Sequence, residues 1–185
     1  LGTDREPTLG GLQAAKLLGR SFDRLVMFSS LSKRSNVPGM RSGFVAGDAA
    51  ILKKFLLYRT YHGCAMAPPV QTASIAAWND EAHVLDNRNQ YREKFAACTP
   101  LTAEVLGTGM PDASFYLWAR TPIADTEFAR GLLEHYNVVV LPGSFLARES
   151  QGVNPGANFI RIALVASLDE CLEATTRLRQ FAQQL

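Results

Sequence analysis

Phe28-Ser29-Ser30-Leu31-Ser32-Lys33-Arg34-Ser35-Asn36-Val37-Pro38-Gly39-Met40-Arg41-Ser42-Gly43-Phe44 is the stretch on which the reading of this 185-residue chain turns. The apolar run Leu25-Val26-Met27-Phe28 feeds into it, and Phe44-Val45-Ala46 leaves it. Short apolar runs bounded by turn signals read as buried strands. Between them stand several serines, Lys33, Arg34, the turn signal Pro38-Gly39 and Arg41. The expectation is a polar loop at a strand end, where a rigid scaffold can hold reactive side chains in place.

The residue types suggest a chemistry. Arginine offers a rigid fork of charged donors and serine a short hydroxyl, so the pair suits a dianion. A lysine beside such a site has a cationic neighbour, which favours the neutral, nucleophilic amine that condenses with a carbonyl. Phosphate, aldehyde and lysine together describe pyridoxal phosphate. An ordinary surface turn with solvated charges would explain the same residue types, because short motifs match by chance.

The ordered string carries more. Ser30-Leu31-Ser32-Lys33, then Pro38-Gly39-Met40-Arg41-Ser42-Gly43, resembles the lysine signature of class I/II aminotransferases, the fold-type I pyridoxal phosphate enzymes. The resemblance implies that Lys33 holds the cofactor covalently and that Ser30 and Arg41 bind its phosphate. Ser32 is a second phosphate-binding or loop-shaping hydroxyl. Ser42 departs from the family pattern, which has an apolar residue there. Ser32 to Arg41 and Ala73 to Val84 look like the bacterial succinyldiaminopimelate aminotransferase branch.

Composition sets bounds. Apolar residues make up 47% and charged residues 19%, an ordinary globular balance. The net charge of +2 is spread out and makes no electrostatic case for nucleic acid or an anionic membrane. No apolar stretch approaches the roughly 20 residues of a membrane helix. Cys64, Cys98 and Cys171 form neither a disulfide framework nor a metal pattern, and His62, His83 and His135 are dispersed, so no metal site is expected. Reduced thiols fit a cytoplasmic protein.

The chain opens Leu1-Gly2-Thr3-Asp4, and the resemblance begins in mid-protein. The resemblance therefore implies a C-terminal half. The expected fold is α/β: residues 1–97 as the C-terminal part of the large, cofactor-binding domain with its interdomain helix, and residues 98–185 as an α+β small domain. The family's glycine-rich phosphate loop, its ring-stacking aromatic and the aspartate facing the ring nitrogen would lie upstream, so this chain alone is expected to transaminate poorly. The exposed strand flanks would then favour association.

Other elements follow from local signals. A polar lead to residue 24 contains a short helix from Leu12 to Leu18, closed by Gly19. Asp48 reads as the N-cap of a helix to Tyr61, with Ile51, Leu52, Phe55 and Leu56 on one face and Lys53, Lys54 and Arg59 solvated. His62 to Pro69 breaks it; in the related enzymes this connection lies at the dimer interface. Pro69 fits the first turn of the next helix, and Asn79-Asp80 ends that one. A polar helix runs from Glu81 to Cys98, punctuated by Thr99-Pro100. Ser114 to Ala119 is a strand, Thr126 to Tyr136 a helix with Phe128, Leu132 and Leu133 inward, and Val138 to Leu141 a buried strand. Gln151 to Asn158 reads as a mobile loop, Asn158 to Val165 as the last strand, and Leu168 to Gln183 as the last helix.

Arg161 interrupts that last strand between Ile160 and Ile162. Alternation places it opposite both, which on pattern alone fits an edge position facing water. The resemblance instead implies the arginine that grips the substrate α-carboxylate. The implied function is amino-group transfer between an amino acid and a 2-oxo acid, specifically N-succinyl-LL-2,6-diaminopimelate with glutamate in lysine biosynthesis, by a homodimer. Another fold-type I enzyme, such as a C–S lyase, or a catalytically silent fragment would share Lys33, Ser30, Arg41 and Arg161.

Overall fold

A computed structural model describes residues 9–63 and 65–185. The polar lead is thus seen only from Leu9, and Cys64 lies outside the described residues. The chain divides into two compact units, one ending at Asn87 and the other starting at Arg88. The division falls inside one long helix, ten residues ahead of the expected 97/98 boundary.

The first unit holds helix α1 (Gly11–Leu17), strand β1 (Val26–Ser30), the single-turn helix α2 (Leu31–Arg34), a 3-10 turn (Pro38–Met40), strand β2 (Gly43–Gly47) and helices α3 (Ala49–His62) and α4 (Pro68–Asn79). Gly19 follows α1 with φ 62°, the left-handed conformation that ends helices. β1 and β2 pair antiparallel, with Ser30 opposite Gly43 and Phe28 opposite Val45. Both apolar runs form strands, yet neither is buried: Phe28 is 69% exposed and Phe44 42%. Two strands offer too little sheet to cover their own apolar side chains.

Asp48 caps α3, accepting from the amides of Ala50 and Ile51 at 2.8 and 3.1 Å and from that of Arg24 at 2.7 Å. These bonds hold its carboxyl below the usual carboxylate range, the Arg24 amide foremost. The expected single apolar face of α3 is not what forms. Ile51, Leu56, Leu57, Tyr58 and Tyr61 are all exposed, because apolar residues run around the helix and only Leu52 and Phe55 are half-buried. α4 starts with both prolines in its first turn and stops at Asn79, where Asp80 turns extended.

Helix α5 (Ala82–Ala103) is longer than expected: Pro100 lies within its last turns rather than ending it. Proline removes one backbone donor; the following turn is steadied by Thr102 Oγ1, which donates to the Cys98 carbonyl at 3.0 Å.

The second unit adds strand β3 (Tyr116–Arg120), helix α6 (Asp125–Tyr136), strand β4 (Leu141–Pro142), a 3-10 turn (Gly143–Phe145), strand β5 (Phe159–Ala163) and helix α7 (Leu168–Ala182). The sheet is antiparallel in the order β3-β5-β4. Leu117, Ala119, Ile160 and Ile162 turn one face into the core, where Phe95, Phe128, Leu132 and Leu178 meet them. A fully buried leucine or phenylalanine contributes about 1.5–3 kcal/mol. Cys98 and Cys171 are free thiols in this core, and burial pushes both up in pKa.

Two expectations are corrected here. Leu133 is exposed rather than inward, because the core face of α6 runs through Phe128, Leu132 and Tyr136, with Ala129 beside them. Val138–Leu141 is not a strand: only Leu141 and Pro142 pair, and Val139 is 80% exposed. The Gln151–Asn158 loop is anchored, with Asn154 Nδ2 donating to the Ser144 carbonyl at 3.1 Å and Asn158 N to Asp125 Oδ1 at 3.2 Å. A Cβ on Gly143 would lie 2.4 Å from the Gly156 carbonyl oxygen, so the loop closes only over glycine.

Candidate functional site

β1 delivers Ser30 at its last position, and the chain turns at once into α2, which carries Lys33. Ser30 is extended at φ −151°, and its hydroxyl makes no capping bond to that helix. Leu31 is fully buried, and its amide donates to the Ser42 carbonyl at 3.1 Å. The two ends of the loop are thereby drawn together under the lysine. Gly43 sits opposite Ser30; a Cβ there would lie 2.7 Å from the Ser29 carbonyl oxygen, so glycine lets β2 pass close to the loop.

A cavity of about 720 Å³ opens over this loop. Ser29, Ser30, Lys33, Arg34 and Arg59 form its polar wall, while Phe28, Phe44 and Phe55 supply aromatic surface. Its size suits a small-molecule site, and a few polar groups converging in an apolar cleft is the usual make-up of one. Ser30 and Lys33 are therefore brought together. Ser32 and Arg41 stand on the same loop but do not line the cavity. Arg41 is exposed, left-handed at φ 52°, and donates to the Pro38 carbonyl at 2.7 Å, which closes the Pro38-Gly39-Met40 turn. Arg59 is exposed, as expected for the solvated side of α3, and also lines the cavity, because it follows Phe55 by one helical turn on the side facing β1.

Ser42 is buried and its Oγ lies 2.9 Å from that of Ser74 on α4. The serine that departs from the family pattern thus has a matching polar partner. Arg34 binds the same helix, donating to the Ala77 carbonyl at 2.8 Å. Sequence reasoning left this residue without a role. The helix that ends at Asn79 has no basic residue of its own in the last turn, but that end lies more than 40 residues from Arg34, so no local pattern announces the pairing.

Arg161 belongs to the other unit. Its strand is the middle one of three, with Trp118 opposite on one side and Leu141 on the other, so the edge position that the pattern alone suggested is ruled out. It does lie on the face opposite Ile160 and Ile162, half-buried. Its guanidinium carbon is 5.6 Å from the Tyr116 ring centre, and Trp118 stacks on Phe159 beside it at 5.6 Å. Arg161 Nε is buried and lacks a hydrogen-bond partner among the described residues.

Similarity to known proteins follows this geometry. The profile of aminotransferase class I and II matches residues 8–178. The chain belongs to that family. A protein of Mycobacterium tuberculosis named as a probable aminotransferase is 32% identical over 179 residues, covering 96% of this chain and 41% of its own length. The crystal structure of an aminotransferase from Neisseria meningitidis superposes with a TM-score of 0.88 at 57% identity, over 93% of this chain and 44% of that one. A probable N-succinyldiaminopimelate aminotransferase from Thermus thermophilus gives a TM-score of 0.75 at 31% identity, over 87% and 43%. The fold is the α/β fold of these aminotransferases, and the chain spans less than half the length of the relatives it matches.

Members of the class I and II aminotransferase family use pyridoxal phosphate. The donor set here fits that group: an amine, hydroxyls and guanidinium groups for an aldehyde and a phosphate, and aromatic walls for a planar ring. No helix among the described residues is long and apolar enough to cross a membrane.

Proposed function

We propose that this chain is the lysine-bearing part of a pyridoxal phosphate-dependent aminotransferase that exchanges an amino group between an amino acid and a 2-oxo acid. The observation that carries the reading is the meeting of Ser30 and Lys33 in one cavity, in a chain of this family. The cofactor, when bound, supplies an electron sink for the negative charge that develops at the substrate α-carbon. Lys33 Nζ would hold the cofactor, and the same amine would serve as the base that takes the proton from that α-carbon. Ser30 offers a hydroxyl to the phosphate from the cavity wall, and Ser32 and Arg41, on the same loop but outside that wall, are the further hydroxyl and the guanidinium that the family resemblance implies for it. Arg161 orients the substrate by pairing with its α-carboxylate.

The substrate we propose is N-succinyl-LL-2,6-diaminopimelate with glutamate as amino partner, as a step of lysine biosynthesis. The likeness to the Thermus thermophilus protein supports it. We further propose that the first unit is part of a large, cofactor-binding domain and the second a small domain, working in the cytoplasm as a homodimer. The test is an assay of the full-length enzyme with a panel of amino donors, alongside its Lys33→Ala variant. Transfer from the succinylated substrate to 2-oxoglutarate, lost with Lys33, is expected. Preference for a short amino acid would reject the substrate, and an active Lys33→Ala variant would reject the role of the lysine.

A further inference from the structure

We infer that Arg34 is a positioning residue for Lys33, fixing the turn that carries it; this rests on the reading of Lys33 as the cofactor-holding residue. α2 is four residues long, and a single helical turn has no stability of its own. Something outside it must fix the direction of Lys33. Leu31, fully buried, secures the start of the turn. Arg34 secures its end.

The guanidinium of Arg34 reaches the C-terminus of α4. Nη1 donates to the Ala77 carbonyl at 2.8 Å, and Nη2 approaches the carbonyls of Trp78 and Asp80 at 3.5 Å each. Nη2 also pairs with Glu81. The last carbonyls of a helix lack partners within it, and they carry the negative end of its dipole. Arg34 meets both needs from a neighbouring segment. Its guanidinium carbon also lies 5.0 Å from the Trp78 ring centre, and that ring meets Phe44 of β2 edge-on at 5.0 Å. One side chain therefore ties α2 to α4 and, through Trp78, to β2. The Arg34 side chain is only 16% exposed, so water does not compete freely for these donors.

Lysine could not do the same, because an ammonium is a point charge without the planar fork. Loss of the anchor frees the turn one residue from the reactive amine. A displacement of about 1 Å in a reacting group costs on the order of a hundredfold in rate.

The test is reductive labelling of the full-length enzyme. Wild type, Arg34→Ala, Arg34→Lys and Glu81→Gln are treated with limiting pyridoxal phosphate and borohydride, and adducts are mapped by peptide mass. Lys16, Lys53, Lys54 and Lys94 of the same molecule serve as internal references. In wild type Lys33 is expected to dominate. In Arg34→Ala its share falls roughly fivefold or more, the scale of one lost anchoring interaction, while the other lysines hold steady. Arg34→Lys falls less, and Glu81→Gln stays near wild type because the carbonyl anchors remain. Circular dichroism reports whether each variant is folded. An undiminished Lys33 share in folded Arg34→Ala, or in folded Arg34→Lys should the alanine variant unfold, overturns the inference alone. Wild type without preference for Lys33 removes the cofactor reading and the inference with it.

Discussion

Ser42 Oγ and Ser74 Oγ lie 2.9 Å apart, both buried, where the loop beneath Lys33 meets α4. Ser74 also donates to the Val70 carbonyl at 2.6 Å, so its place is set by its own helix. Removing Ser74 strands the Ser42 hydroxyl in a buried setting. Ser74→Ala should cost about 1–3 kcal/mol, the penalty of an unsatisfied buried polar group. Adding Ser42→Ala should recover most of it, since an apolar pair leaves nothing unpaired. Urea unfolding of the two single variants and the double variant gives the coupling directly; strictly additive losses would mean that the hydroxyls do not depend on each other.

Asp125 predicts a pH dependence. The residue is buried at the start of α6 and accepts from Ser144 N at 2.8 Å and Asn158 N at 3.2 Å. Burial pushes its carboxyl up, but the hydrogen bonds from Ser144 and Asn158 outweigh that and leave it below the ordinary value of 3.8. A carboxyl depressed on folding stabilises the fold fully above its unfolded pKa, and that contribution drains away as pH falls through the lower folded value. The stability gap between wild type and Asp125→Asn should therefore be constant at neutral pH and narrow only below about pH 4. A gap that stays open at pH 2 would assign the effect to shape rather than charge.

Ser167 and Glu170 bracket the start of α7. The Ser167 hydroxyl accepts from the Glu170 amide at 3.3 Å, while Glu170 Oε2 accepts from the Ser167 amide at 3.0 Å. This reciprocal box was legible as Ser-x-x-Glu ahead of an apolar run, yet only the helix itself was expected from the sequence. Ser167→Ala should cost about 1 kcal/mol, seen as a lowered thermal midpoint. An unchanged midpoint would mean that the first turn frays freely.

Local signals located most elements, because caps, prolines and apolar periods act over a few residues. Asp48, Gly19 and the paired prolines of α4 each ended or began a helix where their chemistry demands. What failed depended on distant partners. Val138–Val140 has the residues of a strand but no neighbour to pair with, so only Leu141 and Pro142 join β5. The candidate site divides the same way. Ser30 and Lys33 were readable as a spacing, whereas Arg34 gains its partners from carbonyls more than 40 residues away. No pattern around Lys33 announces those.

Arg161 supplies the last prediction. It sits mid-sheet beside Tyr116 and Trp118 with a buried Nε that lacks a partner among the described residues, a costly arrangement for a group that serves only the fold. Replacing it should therefore injure binding more than stability. In the full-length enzyme, Arg161→Ala should raise KM for the amino acid about 10- to 150-fold, the equivalent of one charge-assisted hydrogen bond. Arg161→Lys should recover part of this, because an ammonium still attracts a carboxylate but cannot bind it through two parallel bonds. The thermal midpoint should hold or rise in Arg161→Ala. A large fall in the midpoint with KM unchanged would make Arg161 a structural residue held by Tyr116, and the carboxylate would need another partner.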